Sequence, residues 1–177
     1  EALGSINGYI EKLKKTDNVH LAVFDSVSHD VIRDCKAKDW NEVTNEEVMP
    51  RGGTPLYDSC GEIMRQAEED NAKKTVLVVM TDGFENASHE HTQASIKAKV
   101  KAFEDKKWEV IFLGANFDAV EQVSGSVGVA SGKTMNITAQ NLRASMDTFS
   151  NYSTAYGTSG QAIQFTVADK TRAVTPQ

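Results

Sequence analysis

The longest apolar run in the chain, Val76 to Met80, offers no polar residue to turn toward water, and it passes straight into Thr81-Asp82-Gly83. A half-exposed strand alternates apolar and polar residues. A run without alternation therefore predicts a strand covered on both faces, as in a parallel sheet held between two layers of helix. Trp108 to Leu113 reads as another buried strand and ends at Gly114-Ala115-Asn116. Between these two strands Ile96, Val100 and Phe103 recur at helical spacing and predict a helix from about His91 to Lys106. Strand, helix, strand in this order sets the class as α/β.

The flanking segments extend the pattern. Leu3, Ile6, Ile10 and Leu13 predict an amphipathic first helix running to Lys14 and Lys15, whose charges suit a helix C-terminus. Val19 to Phe24 reads as a strand and Val27 to Ile32 as its hairpin neighbour, joined through Asp25-Ser26. Lys36 to Met49 is polar and irregular. It leads into Pro50-Arg51-Gly52-Gly53-Thr54-Pro55, whose prolines and glycines forbid regular structure. Pro55 then suits the first turn of a helix with the apolar stripe Leu56, Cys60, Ile63, Met64 and Ala67, ending near Glu69. Further on, Asp118 to Val123 predicts a short helix, Ser124 to Gly132 an irregular stretch and Thr134 to Ile137 a last strand. Thr138 resembles an N-cap for a helix carrying Leu142, Met146 and Phe149. In the C-terminal extension, 158–177, Ala162 to Val167 reads as a further strand. No repeat or linker divides residues 1–177, so one domain is expected. Ligands of such sheets bind beyond the carboxyl ends of the strands. The functional loops are therefore expected at Asp25-Ser26, Thr81 to Ser88 and Gly114 to Asp118.

Composition removes several function classes. Nineteen basic against 25 acidic residues leave a formal charge of −6, with the basic residues scattered, which argues against a nucleic-acid partner. No apolar stretch approaches the roughly 20 residues that span a bilayer, and no signal-like segment opens the sequence, so a cytoplasmic protein is the expectation. The helical pattern begins almost at Glu1 without an initiator Met, and the natural polypeptide is expected to start further upstream. Cys35 and Cys60 read as reduced, buried thiols. A Gly-x-Ser-x-Gly elbow, a phosphate loop and a paired acid and base at a strand end are all missing, so no enzymatic activity is expected.

Two segments carry the chemistry: Arg51-Gly52-Gly53-Thr54-Pro55-Leu56-Tyr57-Asp58-Ser59, which opens a helix, and Val78-Val79-Met80-Thr81-Asp82-Gly83-Phe84-Glu85-Asn86, which leaves a central strand. They resemble the second and third parts of the metal-ion-dependent adhesion site of von Willebrand factor type A (vWA) domains. Phe112-Leu113-Gly114-Ala115-Asn116 with Asp118 resembles the bacterial and phage branch of that family. The resemblance runs to about Phe149. It implies a Rossmann-like three-layer fold, with a mostly parallel central sheet and one antiparallel edge hairpin. It also implies that Thr54 binds a cation directly and that Asp82 binds it directly or through water. Around that site Asp25, Ser26, Gly53, Gly83, Glu85 and Asn116 are expected to shape the ion's surroundings or touch the partner. The ion implied is Mg²⁺, or Mn²⁺ or Ca²⁺ in its place. Such hard cations prefer oxygen ligands, and Mg²⁺ keeps several of its waters. Hydroxyl ligands leave the ion positively charged, so a vacant position attracts an acidic side chain from a protein partner.

One part of the family's pattern is not in this sequence. Its Asp-x-Ser-x-Ser loop should lie between a first strand and the helix beginning near Ala2, so the remaining ligands are expected upstream of Glu1. Asp25-Ser26-Val27-Ser28 has the wrong spacing and follows the wrong strand to replace it. The absent strand would normally lie between Val19 to Phe24 and Thr75 to Met80, and its loss should leave an apolar slot. Either the natural polypeptide fills that slot from upstream, or a strand from another chain does so by β-strand addition. In the second case the chain would be a structural or assembly subunit without a metal role. Other readings are weaker. His89-Glu90-His91 with His20 or His29 lacks zinc-site spacing. Gly128 to Thr134 has three residues between its glycines where a phosphate loop needs four. Asp58 is expected to favour the N-terminal dipole of its own helix, Glu85 to be a solvated loop residue or a neighbour of the ion's ligands, and Tyr152 and Tyr156 to pack the end of the last helix.

Overall fold

The computed structural model describes residues 2–48, 52–115 and 124–175. Along the chain these form α1 (Ala2–Ile10), β1 (Asn18–Phe24), β2 (His29–Lys36), α2 (Leu56–Glu69), β3 (Val76–Thr81), α3 (Gln93–Asp105), β4 (Glu109–Gly114), β5 (Thr134–Asn136), α4 (Leu142–Ser159) and α5 (Val167–Val174). Among the described residues the strands make two sheets. β1 and β2 pair antiparallel, with an irregularity between Leu21 and Ala22, and β3, β4 and β5 pair parallel in that spatial order. The chain is thus mixed α/β, with helices around both sheets.

The central strand β4 is buried at all six positions: Val110 to Leu113 as their apolar run predicts, and Glu109 in an ion pair with Lys133 at 3.0 Å. Its alternate residues enter two cores. Val110 and Phe112 join Val79 of β3, Leu56, Cys60 and Met64 of α2, and Ile96, Val100 and Phe103 of α3. Ile111 and Leu113 join Met146, Phe149 and Tyr156 of α4, with Tyr9 of α1 and Val76, Val78 and Met80 of β3 packed alongside. Each large side chain so buried stabilises the fold by roughly 1.5–3 kcal/mol. A third, smaller cluster joins Ile10 of α1 to Val19 at the start of β1 and Ala37.

The structure corrects several boundaries. α1 ends at Ile10, before Leu13, but turn bonds from the Lys12 and Leu13 amides to the Tyr9 and Ile10 carbonyls keep Leu13 against the third cluster. β2 begins at His29, two residues later than expected, because the Asp25 carboxylate accepts the Val27 and Ser28 amides at 2.7 and 3.1 Å and turns them out of the ladder. Ala162 to Val167 is not a strand. Its alternation buries Ile163 and Phe165 beneath α4, and Thr166 with Asp169 then forms a capping box that starts α5. Thr138 caps a short 3₁₀ turn that leads into α4. Cys60 is buried and Cys35 only half-buried, and both are free. The expected helix at Asp118 to Val123 lies outside the described residues. No described helix is long and apolar enough to cross a membrane.

Candidate functional site

Three loops meet at the carboxyl ends of β1 and β3. The Asp25-Ser26 turn leaves β1 and touches the Gly52-Gly53 segment: the Ser26 amide and hydroxyl donate to the Gly52 carbonyl at 3.2 and 2.5 Å. Gly53 has a φ of 84°, and a Cβ there would lie 2.4 Å from Ser26 Cβ, so both its conformation and its neighbour require glycine. The next residue, Thr54, is stitched to the loop that follows β3. Its amide donates to Asn86 Oδ1 at 2.8 Å, and the Asn86 amide donates back to the Thr54 carbonyl at 3.1 Å. The Thr54 hydroxyl sits directly against Gly83, 2.8 Å from where a Cβ would be.

The turn after β3 presents Asp82 at its tip. The Thr81 hydroxyl accepts the Gly83 amide at 3.2 Å and donates to the Gly83 carbonyl at 3.1 Å, which closes the turn around Asp82 and leaves that residue exposed. Among the described residues no hydrogen bond or ion pair engages the Thr54 hydroxyl or the Asp82 carboxylate. The Thr54 hydroxyl thus lies against Gly83, the residue that follows Asp82, on two touching loops. Asp25, by contrast, is only 4% exposed and holds its hairpin turn. Asn116 lies outside the described residues.

Glu85 is more than a solvated loop residue. Helix α2 has Pro55 at its N-cap, which supplies no side-chain acceptor. The Tyr57 amide instead donates to Glu85 Oε2 at 2.9 Å and to Ser88 Oγ at 3.1 Å, and the Asp58 amide to Ser88 Oγ at 3.2 Å. Glu85 also accepts the Ala87 and Ser88 amides at 3.0 and 2.7 Å and the Ser88 hydroxyl at 2.7 Å. Burial pushes the Glu85 pKa up, but these donors outweigh it and hold the carboxyl below its usual value. Asp58 returns the favour. Its carboxylate accepts the backbone amides of His89, Glu90 and His91, the shortest at 2.7 Å, and these bonds likewise overcome burial and lower its pKa. Asp58 thus clamps the following loop as well as sitting in the first turn of its helix.

Asn86 and Ser88 were not singled out from the sequence. The available signal was a run of side-chain acceptors, Glu85, Asn86 and Ser88, immediately after a glycine turn, where backbone amides need partners. His89 and His91 serve this loop through their amides, and among the described residues no group of three or more His, Cys, Asp or Glu side chains could hold a metal ion. Burial pushes the Cys60 thiol up to about 12, which makes it a core residue and a poor nucleophile. Tyr156 is buried and its hydroxyl donates to the Lys107 carbonyl at 2.8 Å, so it fastens α4 to the turn before β4. Neither models of known protein families nor curated proteins give a match to this chain.

Proposed function

We propose that this chain is a divalent-cation-dependent protein-binding module of the vWA kind, working through Thr54 and Asp82. The observation that carries the reading is the meeting of loops 52–54 and 81–86, which sets a free hydroxyl against the residue following a free, exposed carboxylate. One neutral and one anionic oxygen suit a hard cation that keeps most of its water. With a single carboxylate beside it, the ion would retain positive charge and supply a Lewis-acidic position for an acidic side chain of a protein partner. Ser26, Gly53 and Gly83 shape the rim without donating charge. Glu85 and Asn86 hold the Asp82 and Thr54 loops in register, and Asp25 fixes the neighbouring hairpin.

Calorimetric titration of the chelator-treated protein with MgCl₂ tests this reading. With two protein ligands the expected affinity is at the weak end for oxygen sites, a Kd of roughly 10⁻³ M or above. Thr54→Ala and Asp82→Ala should each abolish the heat while leaving the far-ultraviolet circular dichroism unchanged. Equal binding in wild type and both variants, or no binding by wild type, would sink the proposal.

A further inference from the structure

The hairpin carries two histidines, and the fold treats them in opposite ways. His20 Nε2 lies 2.8 Å from Asp70 Oδ2, just beyond the end of α2, and its Nδ1 lies 3.4 Å from Asp34 Oδ1 on β2. Each nitrogen of that ring has a carboxylate beside it. His29 opens β2 opposite Phe24, which packs against the cluster containing Leu56 and Cys60 of α2. The residue is half-buried, yet both of its ring nitrogens are covered, and among the described residues neither has a hydrogen-bond partner. Folded proteins pair nearly all their buried polar atoms, so an imidazole with two orphans stands out.

The charges acting on His29 come from Glu62 of α2 and from Asp30, its neighbour on β2. Both carboxylates have other engagements. Glu62 pairs with Arg65 at 2.6 Å and accepts Gln66 Nε2 at 3.1 Å, and Asp30 accepts the Ser28 hydroxyl at 2.6 Å. Burial therefore prevails over the attraction of Glu62 and Asp30 and lowers the His29 pKa below its ordinary 6.5. A lowered folded value means that the opened chain takes up the proton more readily. The packed arrangement is thus fully favoured above 6.5 and loses ground as the pH falls below it, until the packed ring itself titrates.

His29 also stands close to the candidate site along the chain. Its neighbour Ser28 donates its amide to Asp25 at 3.1 Å, and the Ser26 amide and hydroxyl both donate to the Gly52 carbonyl. Gly53 packs so tightly on Ser26 that no side chain fits between them, and Thr54 comes next.

We propose that His29 is an acid-sensitive latch: protonation of its ring lifts the start of β2 off α2 and, through the Asp25-Ser26 turn, releases the Gly52-Gly53 segment that leads to Thr54. The far end of the hairpin stays fastened, because a proton on His20 only strengthens its attraction to Asp34 and Asp70. Acid therefore acts on the two histidines in opposite senses, and the hairpin opens at its turn while its other end holds. The latch stands apart from the cation reading, since it changes the setting of the Thr54 segment whether or not an ion binds there.

The test is amide hydrogen exchange of the intact chain in EDTA at about pH 7.5 and about pH 5.5, one unit either side of the ordinary histidine value, with each rate divided by that of unstructured chain at the same pH. One proton taken up on opening shifts the balance by at most about tenfold per pH unit, so protection of the Asp25 to Ser28 amides should fall about three- to tenfold at the lower pH. Protection of Val110 to Phe112 in β4 should stay within about twofold. In His29→Leu, where an apolar side chain fills the space, the fall at the turn should disappear. A nuclear magnetic resonance titration of the wild-type imidazoles reads the same event without any substitution: His29 should titrate below 6.5, and the Ser26 amide resonance should move with it. Unchanged protection at the turn, an equal loss in β4, a loss that persists in His29→Leu, or titration of His29 at or above 6.5 would each overturn the proposal.

Discussion

Substituting Gly83 by alanine probes the contact on which the candidate site depends. A Cβ at residue 83 would lie 2.8 Å from Thr54 Oγ1 and 3.8 Å from Thr54 Cβ, so the hydroxyl must move. Gly83 is not among the glycines with positive φ, and alanine therefore adds no backbone strain there. Displacing the Thr54 side chain from its rotamer costs about 0.5–1.5 kcal/mol. Against this, alanine restricts the unfolded chain and contributes about 0.4–1 kcal/mol to stability. Gly83→Ala should thus range from about 0.5 kcal/mol stabilising to about 1 kcal/mol destabilising in the wild-type background. In a Thr54→Ala background the obstructing oxygen is gone, and the same change should stabilise by about 0.4–1 kcal/mol. Urea denaturation of the four proteins, followed by circular dichroism, closes the double-mutant cycle. The expected coupling of about 1 kcal/mol corresponds to roughly 2–4 °C in Tm for a chain of this size. Coupling within about 0.3 kcal/mol of zero would refute the close approach of the two loops.

Two further outcomes follow from the hydrogen-bonded carboxylates. Asp169 accepts from the Tyr152 hydroxyl at 2.8 Å, the Thr166 amide and hydroxyl at 2.9 and 2.7 Å, and Arg172 at 2.5 Å. Burial raises its pKa, but these donors prevail and hold it at about 2 against an ordinary 3.8. A depressed folded pKa stabilises above the unfolded value and loses that contribution as the pH falls through the folded one. Wild type should therefore exceed Asp169→Asn by about 2 kcal/mol at neutral pH, and denaturant titrations repeated at falling pH should show this advantage shrinking between 3.8 and about 2. Glu85→Gln removes one of two anionic acceptors and should cost about 1–3 kcal/mol, with faster proteolysis within residues 83–92. The exposed Glu90→Gln serves as the control, and equal stability of the two variants would show that Glu85 does not close α2.

The elements most legible in the sequence were those whose partners lie on both sides. Val76 to Thr81 and Glu109 to Gly114 had no alternation to misread, and both are strands. The Gly-Gly-Thr and Thr-Asp-Gly loops were also legible, because glycine at residues 53 and 83 marks where another chain segment comes too close for a side chain. Less was visible where structure depends on a distant acceptor. Nothing local to Pro55 shows that α2 is capped by Glu85 and Ser88. Ala162 to Val167 alternated like a strand because Ile163 and Phe165 both face a helix core, and the capping pair Thr166 and Asp169 was the signal that the chain was about to turn helical. The hairpin boundary moved because a single carboxylate, Asp25, takes up two amides that the strand pattern assigned to the ladder.

The mutual capping of α2 and the loop after β3 bears on which stretches of the chain depend on one another. Bonds spanning 28 to 33 residues close the first turn of α2 and hold residues 89–91 in place. The acceptors that close the first turn of α2, Glu85 and Ser88, lie well beyond the helix in the sequence, so the helix on its own lacks them. The same loop holds Thr54 through Asn86, so the start of α2 and the Thr54 segment depend on one stretch of chain. A fragment ending before Glu85 keeps every residue of the helix and still lacks the groups that close it.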